Sequence, residues 1–347
     1  MENQAKDKQD IKSMLLPELR QYFEAAGEKS YRADQVFRWI HGGLTVFSEM
    51  TDLPGPLREK LDKTFYIDTP TMLRKQVSGK DGTIKYLWGM RDGAGVESVV
   101  MEYGHGTTVC LSSQAGCRMG CLFCASAIGG LERNLTASEI EDQVLFSQLD
   151  YGRKISNIVL MGIGEPLDNF ENVMRFIQLA NHPAGMNIGA RHISVSTCGI
   201  VENIDKMADY DIQLTLTVSL HAPDDETRSY LMPVNRLTGV DKLLDACGRY
   251  FQKTGRRVSY EYVLISGVND TAYHACLLAD KLKKTGSHVD LIRLNNVSER
   301  FLNASSSRDV KAFSDILKSK GINCTIRRKL GGDIDASCGQ LRRSGLR

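Results

Sequence analysis

The sequence is poor in the features that would place it in a membrane or on a secretory route. No apolar run in its 347 residues approaches the about 18 residues of a membrane span. The first residues, MENQAKDKQDIK, are polar and charged and do not resemble a secretory signal. We therefore expect a cytoplasmic protein without membrane contact, and no feature of the sequence indicates more than a monomer.

A strong charge of one sign is also missing, since the net charge is only +2. Such a balance says little about a nucleic-acid partner. A local excess of positive charge does occur near the C-terminus, where it either contacts phosphate or forms a solvated basic tail. This basic cluster consists of Arg327, Arg328, Lys329, Arg342, Arg343 and Arg347.

The sequence does contain an ordinary globular composition and nine cysteines. Hydrophobic residues make up 42% and charged residues 25% of the chain, without internal repeats or low-complexity segments. Because thiols stay reduced in the cytosol, nine cysteines favour metal binding or thiol chemistry over a disulfide framework.

The pattern of apolar residues divides the chain into four predicted regions. The first is a helical module whose basic and aromatic residues suit RNA contact or a plain bundle. A β-rich segment follows, with a hairpin turn at Asp81-Gly82. Strands then alternate with helices, one opened by the capping box of Thr136 and Glu139, which predicts a parallel sheet. The predicted fold is therefore α/β, a partial barrel of about six βα units with a small N-terminal helical accessory domain. The regions span residues 1–66, 67–105, 106–321 and 322–347.

Three cysteines stand directly after the first strand of the alternating region, as Cys117-x3-Cys121-x2-Cys124. Three thiolates bind three irons of a cubane cluster, and without a nearby fourth cysteine one iron stays open for a substrate. The alternatives are a structural zinc site or three buried thiols. Zinc prefers four protein ligands, and no histidine lies within ten residues downstream of Cys124, so we favour a [4Fe-4S] cluster.

This motif, placed after the first strand of a βα series, resembles the radical S-adenosylmethionine (SAM) superfamily. The resemblance implies that SAM chelates the open iron and is cleaved on reduction to a 5′-deoxyadenosyl radical. It also implies a contact to the SAM amino group in the MGIGEPL stretch, at Gly164 and Glu165. Carboxyl ends of later strands supply further candidate cofactor contacts. These are Ser196, Ser219, Leu220, His221 and Asn295.

Five stretches of sequence together resemble one branch of that superfamily, the RlmN/Cfr family of RNA adenine methyltransferases. They are SSQAGCRMGCLFC, RNLTASEIEDQV, MGIGEPL, SLHAPDDETRSYLMPVN and GGDIDASCGQLRRS, within a resemblance that runs from Lys12 to Arg343.

The family resemblance implies roles for three residues. Cys338 accepts a methyl group from one SAM, and a second SAM supplies the radical that activates this methyl for attack on adenine. Cys110 then attacks the sulfur of Cys338 and releases the methylated base through a transient disulfide. Glu97 removes the ring proton. Without this resemblance, Cys110 and Cys338 would be interpreted as inert core thiols and Glu97 as an ordinary strand carboxylate. The remaining cysteines have no motif and are predicted to be core thiols, namely Cys198, Cys247, Cys276 and Cys324.

The implied cofactors are a [4Fe-4S] cluster and two SAM per turnover. The implied RNA partners are 23S rRNA, with a target adenosine in the peptidyl-transferase region, and tRNA, which is modified at the adenosine beside the anticodon. The implied protein partner is a low-potential electron donor such as flavodoxin or ferredoxin.

The choice between the two types within the family rests on few positions. Pro166 after Glu165 favours the RlmN type, which methylates adenine C2, over the Cfr type, which methylates C8. The stretch LIRLNN, Gly332 and Ser337 depart from the RlmN pattern, so C8 methylation stays an alternative. A non-catalytic RNA-binding metalloprotein is the alternative of a different class.

Overall fold

The computed structural model describes residues 8–283, 285–295, 297 and 299–341. Three members of the basic cluster, Arg342, Arg343 and Arg347, lie outside the described residues. The helices are α1 Leu16–Ala25, α2 Tyr31–His41, α3 Gly55–Thr64, α4 Ala137–Tyr151, α5 Phe170–Asn181, α6 Val201–Met207, α7 Asp225–Leu231, α8 Asn235–Thr238, α9 Val240–Thr254, α10 Ala272–Leu282 and α11 Ser307–Ser319. The strands are β1 Gln9–Asp10, β2 Phe65–Tyr66, β3 Thr71–Val77, β4 Ile84–Gly89, β5 Gly95–Tyr103, β6 Gly106–Cys110, β7 Gln114–Gly116, β8 Leu131–Asn134, β9 Asn157–Leu160, β10 Ile193–Thr197, β11 Thr215–Ser219, β12 Ser259–Leu264, β13 His288–Arg293 and β14 Asn323–Ile326.

One ten-stranded sheet forms the body of the protein, in the order β14-β13-β12-β11-β10-β9-β6-β5-β4-β3. In this sheet β6 and β9 to β14 are parallel, and β3 to β6 form an antiparallel meander. Within the described residues β3 and β14 each pair on one side only, so the sheet stays open. The predicted α/β partial barrel is confirmed, and its carboxyl strand ends face one edge.

Local sequence signals account for several element boundaries. Thr136 caps α4 by accepting from the backbone N–H of Glu139, whose side chain accepts from the N–H of Thr136, so the predicted capping box is confirmed. Gly82, with φ of 74°, closes the turn between β3 and β4, which confirms the predicted hairpin. The sequence reasoning missed α7, although Asp224 caps it, and it missed the short β7–β8 pair that brackets the three-cysteine motif.

The N-terminal helices pack directly against α4 of the sheet domain. Two buried polar contacts join them: His41 Nδ1 lies 2.8 Å from Glu141 Oε1, and Lys12 pairs with Asp142. A single buried apolar cluster extends from this module into the parallel sheet. The helical module and the sheet therefore share one core, while the four domain boundaries given above stay predictions. Among the described helices, none is both long and apolar enough to cross a membrane.

Candidate active site

Two adjoining cavities lie against the parallel strands, one at their carboxyl ends and the other extending along β9 and β10 towards their amino ends. We call the first the cysteine chamber; it is lined by Cys117, Cys121, Cys124, Gly164, Glu165, Ser196, Ser219, His221, Glu261, Asn295 and Cys338. We call the second the basic chamber; it is lined by Tyr103, His105, Cys110, Met161, Arg191, Arg293, Asn295, Arg327, Arg328, Lys329 and Cys338. Cys338 borders both chambers, and so does Asn295. Most of the predicted site residues are thus brought together at one edge of the sheet.

The three-cysteine motif forms a loop between β7 and β8. Gly116, with φ of 81°, needs to be glycine because a Cβ there would lie 2.0 Å from the carbonyl oxygen of Gly130. The N–H of Ala125 donates to the carbonyl of Gly339 at 2.8 Å, which ties this loop to the segment that carries Cys338. The loop geometry therefore places the three thiols and Cys338 around the same chamber.

The three thiols fit a cluster better than a single metal ion. The loop between β7 and β8 supplies three thiols, whereas a structural zinc prefers four protein ligands. Each thiolate of a cubane instead binds a different iron, so the thiols need only line a common chamber. Burial raises the pKa of Cys117 to about 12, so iron binding there has to displace a tightly held proton.

Gly164 and Glu165 form a tight turn after β9. Gly164 has φ of 106°, and a Cβ on it would lie 2.6 Å from Cβ of Gln114. The carboxylate of Glu165 is buried and accepts from the hydroxyl of Thr197 at 2.6 Å and from the N–H of Cys198 at 2.7 Å. Burial raises the pKa of Glu165. The side chain of Glu165 therefore fixes the carboxyl end of β10 through these two hydrogen bonds. Its contact to a SAM amino group stays a prediction.

Ser196 and Ser219 meet at a carboxylate that the sequence reasoning missed. Their hydroxyls donate to Oε2 of Glu261, at 2.9 Å and 3.1 Å respectively. Glu261 lies in the middle of β12 and is 4% exposed, with its side chain on the cysteine chamber. A lone glutamate within the region predicted to form a parallel sheet was the available signal, because a carboxylate is rarely buried without a partner.

Leu220 and His221 follow β11 but differ in their surroundings. The side chain of Leu220 is fully buried in the apolar core and does not line either chamber. His221 does line the cysteine chamber, and its Nδ1 accepts from the N–H of Val263 at 3.0 Å. Burial lowers the pKa of His221 to about 3. The imidazole is therefore neutral, with its proton on Nε2.

The segment after β14 carries Cys338 to the wall between the chambers. Asn295 Nδ2 donates to the carbonyl oxygen of Cys338 at 3.0 Å, and Arg327 Nη1 lies 3.8 Å from its sulfur. Cys338 is an exposed residue and lines both chambers. Arg327 was predicted only as part of the basic cluster, but the structure gives it an internal position beside a thiol.

Comparisons with known proteins agree with this arrangement. Residues 9–67 match the family model described as "Ribosomal RNA large subunit methyltransferase N-terminal domain", and residues 111–277 match the radical SAM superfamily. The chain is 48% identical over 339 residues to a probable dual-specificity RNA methyltransferase RlmN of Thermoanaerobacter sp. (strain X514), covering 97% of this chain and 99% of that protein. The chain belongs to the RlmN family.

Two further similarities support membership in the RlmN family. An RlmN of Pelotomaculum thermopropionicum, also described as probable and dual-specificity, is 50% identical, with 97% of this chain and 92% of that protein covered. The crystal structure of a radical SAM methyltransferase from Sphaerobacter thermophilus superposes with a TM-score of 0.91 at 43% identity, covering 96% of this chain and 99% of that one. The chain is therefore a radical SAM RNA methyltransferase, and an iron–sulfur cluster and SAM are its family's cofactors.

The remaining two predicted catalytic residues of this RlmN-family chain lie in different places. Cys110 ends β6 and borders the basic chamber together with Cys338, and burial raises its pKa to about 12. Glu97 lines neither chamber. It is buried in β5, where Oε1 lies 3.2 Å from Nζ of Lys85. The structure thus brings together the two thiols but not the carboxylate, and all three roles stay predictions.

Proposed function

We propose that this protein methylates C2 of an adenosine in the peptidyl-transferase region of 23S rRNA and of the adenosine beside the anticodon in tRNAs, using two SAM per turnover. The observation that carries the proposal is that Cys338 borders both chambers. A methyl group accepted on its sulfur from the cysteine chamber is already beside the basic chamber. RlmN-family membership and Pro166 support the C2 position over C8.

The cysteine chamber is the proposed cofactor site. Cys117, Cys121 and Cys124 hold the [4Fe-4S] cluster, and the wall that includes Gly164, Ser219 and the neutral His221 surrounds SAM. Bound there, the two cofactors supply a transferable methyl group and a radical that abstracts hydrogen. Such chemistry is needed because adenine C2 is electron-poor and carries no acidic proton, so direct polar methyl transfer to it fails.

The basic chamber is the proposed site of the target nucleotide. Five cationic side chains line it, and they provide positive charge for a phosphate backbone. Tyr103 and His105 lie on its wall with ring centroids 5.3 Å apart and planes at 19°. Flat rings of this kind favour an unstacked base, so a loop of RNA suits the chamber better than a duplex. The lining cations are Arg191, Arg293, Arg327, Arg328 and Lys329.

The steps that release the product, before the disulfide is reduced, use residues of the chain. Glu97 takes the proton from C2 of the covalent adduct, whose unpaired electron would return to the iron–sulfur cluster, and the thiolate of Cys110 attacks the sulfur of Cys338. The new S–S bond forms as the bond between that sulfur and the methylene carbon breaks, and the bonding pair remains with the base, which takes up a proton to give the methyl group. An external thiol then reduces the disulfide. A flavodoxin or ferredoxin as electron donor, a monomeric state and a cytoplasmic location complete the proposal.

Anaerobic reconstitution with SAM carrying an isotopically labelled methyl group, and with rRNA and tRNA as separate substrates, tests the proposal. The expected product is labelled 2-methyladenosine at one position in each RNA. Label found mainly in 8-methyladenosine overturns C2 methylation in favour of the Cfr type. Zinc in place of iron and sulfide, with no labelled nucleoside, favours the non-catalytic metalloprotein.

A further inference from the structure

The guanidinium of Arg327 lies between two sulfur atoms and two carboxylates. Nη1 donates to Glu261 Oε1 at 2.7 Å and lies 3.5 Å from the thioether sulfur of Met161 and 3.8 Å from the sulfur of Cys338. Nη2 lies 3.9 Å from a carboxylate oxygen of Asp290. The position of the Arg327 guanidinium is therefore set from several sides.

Glu261 is held as firmly as Arg327. The two serine hydroxyls described above occupy its Oε2, its backbone carbonyl accepts from the N–H groups of Leu220 and His221 at 3.1 Å and 3.2 Å, and its side chain is buried. The main chain of Arg327 is fixed as well, since its N–H donates to the carbonyl of Leu291 at 2.9 Å. The carboxylate thus presents the guanidinium to Cys338 in one orientation.

We propose that Arg327 is the positioning residue for Cys338, stabilising the thiolate form of its sulfur for attack on the methyl donor, and that Glu261 orients Arg327 for this task. The inference rests on the proposed function and deepens it, since it concerns the first methyl transfer. The thiol proton leaves to water. A lone pair of the Cys338 sulfur then forms the new S–CH3 bond as the sulfonium S–CH3 bond breaks, and the bonding pair stays on the sulfur of S-adenosylhomocysteine.

The charges around Cys338 explain why a cation is needed there. Burial raises the pKa of this thiol, and Glu261 raises it further, whereas the positive charge of Arg327 and its hydrogen bond to the sulfur lower it. The pKa of Cys338 is raised overall, and the guanidinium is the group that most favours its thiolate form. The other titratable or charged side chains around the two chambers are Tyr103, His105, Cys110, Cys117, Cys121, Cys124, Glu165, Arg191, His192, His221, Asp290, Arg293, Arg328 and Lys329.

The same guanidinium also suits the product of the step. Methylated Cys338 is a neutral thioether, which accepts only weakly. Arg327 Nη1 already lies 3.5 Å from the thioether of Met161, so contact with a second thioether requires no new kind of interaction. Arg327 can therefore stay in place when the charge on the sulfur disappears.

The test measures methylation of Cys338 itself, without RNA. Unmethylated, cluster-reconstituted protein is mixed with SAM at a series of pH values, and the peptide containing Cys338 is followed by mass spectrometry. Arg327→Gln is expected to lower the rate near neutral pH by about tenfold and to move the midpoint of the pH profile upward by about one unit, with rates converging at high pH. Arg327→Lys keeps the positive charge but not the planar guanidinium, so its rate and its midpoint are expected to lie between those of the unsubstituted protein and Arg327→Gln.

Alkylation of Cys338 by iodoacetamide over the same pH range provides a readout independent of SAM, and its midpoint is expected to move upward in the same way. Arg249→Gln is the matched control, because Arg249 pairs with Asp205 at 2.8 Å far from either thiol. Both profiles should remain unchanged in this variant.

The possible failures are distinguishable. Iron and sulfide content together with thermal unfolding show whether each variant is folded and loaded. If Arg327→Gln does not fold, Arg327→Lys carries the test, because it must still shift both midpoints. Unshifted midpoints in folded variants overturn the role of Arg327 while leaving the proposed function standing. Absence of Cys338 methylation in the unsubstituted protein instead overturns the proposed function.

Discussion

Lys85 Nζ lies 3.2 Å from Oε1 of Glu97, and the two side chains are 5% and 2% exposed. The same ammonium donates to the carbonyl of Asp335 at 3.3 Å, three residues before Cys338. One buried cation therefore links the predicted general base to the segment that carries the methyl-accepting thiol. Glu97 itself lines neither chamber.

Replacement of Glu97 should separate its role in stability from its role in turnover. Glu97→Gln leaves the buried ammonium of Lys85 without its carboxylate, so we expect a loss of about 3–5 kcal/mol in unfolding free energy. We also expect methylated Cys338 but no methylated adenosine. Combining it with Lys85→Met should restore much of the stability and none of the turnover, as measured by denaturant unfolding and labelled product. Turnover recovered in the double variant would show that Glu97 is structural only.

The two thiols that border the basic chamber should be separable by the products they leave. With Cys110→Ala the attack on the Cys338 sulfur is lost, so labelled RNA should remain covalently attached to the protein on a denaturing gel. Cys338→Ala should give neither product nor crosslink. Cys247→Ala, at a buried thiol that lines neither chamber, is the control and should turn over normally. A freely released product from Cys110→Ala would rule out its role as the resolving thiol.

Loss of one cluster thiol should be visible without any assay of activity. Cys117→Ala removes one of three iron ligands, so we expect iron and sulfide after anaerobic reconstitution to fall to about one tenth or less, with loss of the visible absorbance. Cys276→Ala removes a thiol outside the motif and should keep the full content. Equal iron content in both variants would contradict the assignment of the cluster to the three-cysteine loop.

A methyl group added at Gly164 should disturb the cofactor wall. The backbone there has φ of 106°, and a Cβ would lie 2.6 Å from Gln114. Gly164→Ala should therefore lower the free energy of unfolding by about 2–4 kcal/mol and weaken SAM binding. Gly152→Ala is the matched control, because Gly152 also has positive φ, 72°, but no atom lies within 4 Å of its added Cβ. Gly152→Ala should lower the free energy of unfolding by about 1 kcal/mol and leave the SAM affinity, measured by equilibrium binding, unchanged. Equal SAM affinity in both variants would argue against this turn as a cofactor contact.

His221 should make the protein less stable as the pH falls. Burial holds its pKa at about 3, below the usual value near 6.5, so between these limits the unfolded chain binds a proton that the folded chain does not. Stability from this group is complete above pH 6.5 and is lost on acidification, by up to about 1.4 kcal/mol per pH unit. His221→Asn keeps an acceptor for the N–H of Val263 and tolerates the φ of 58°. Denaturant unfolding at pH 7 and pH 5 should show that this variant loses less unfolding free energy between the two pH values than the unsubstituted protein does. An equal loss in both proteins would contradict the prediction.

Local sequence determined much of the architecture and half of the site. The predicted capping box of Thr136 and Glu139 and the predicted hairpin turn at Asp81-Gly82 match the structure, because both signals are properties of neighbouring residues. The spacing of Cys117, Cys121 and Cys124 similarly specifies a loop after one strand. Family resemblance added the two thiols predicted to be catalytic, which no periodicity could distinguish from core cysteines.

Only the tertiary structure decided which charges share the site. Glu261, on β12, meets Ser196, on β10, and Arg327, after β14, and these partners are separated by more than sixty positions in sequence. Their strands lie side by side in a sheet whose order is not readable from any one segment. For the same reason Lys85 was not foreseen as the partner of Glu97, since pairing between β4 and β5 and the return of the Cys338 segment are both needed. The sequence alone thus identified the cysteines predicted to hold the cluster and to carry the methyl group. The long-range packing of strands decided which buried charges surround them, because electrostatic partners are chosen by distance in space.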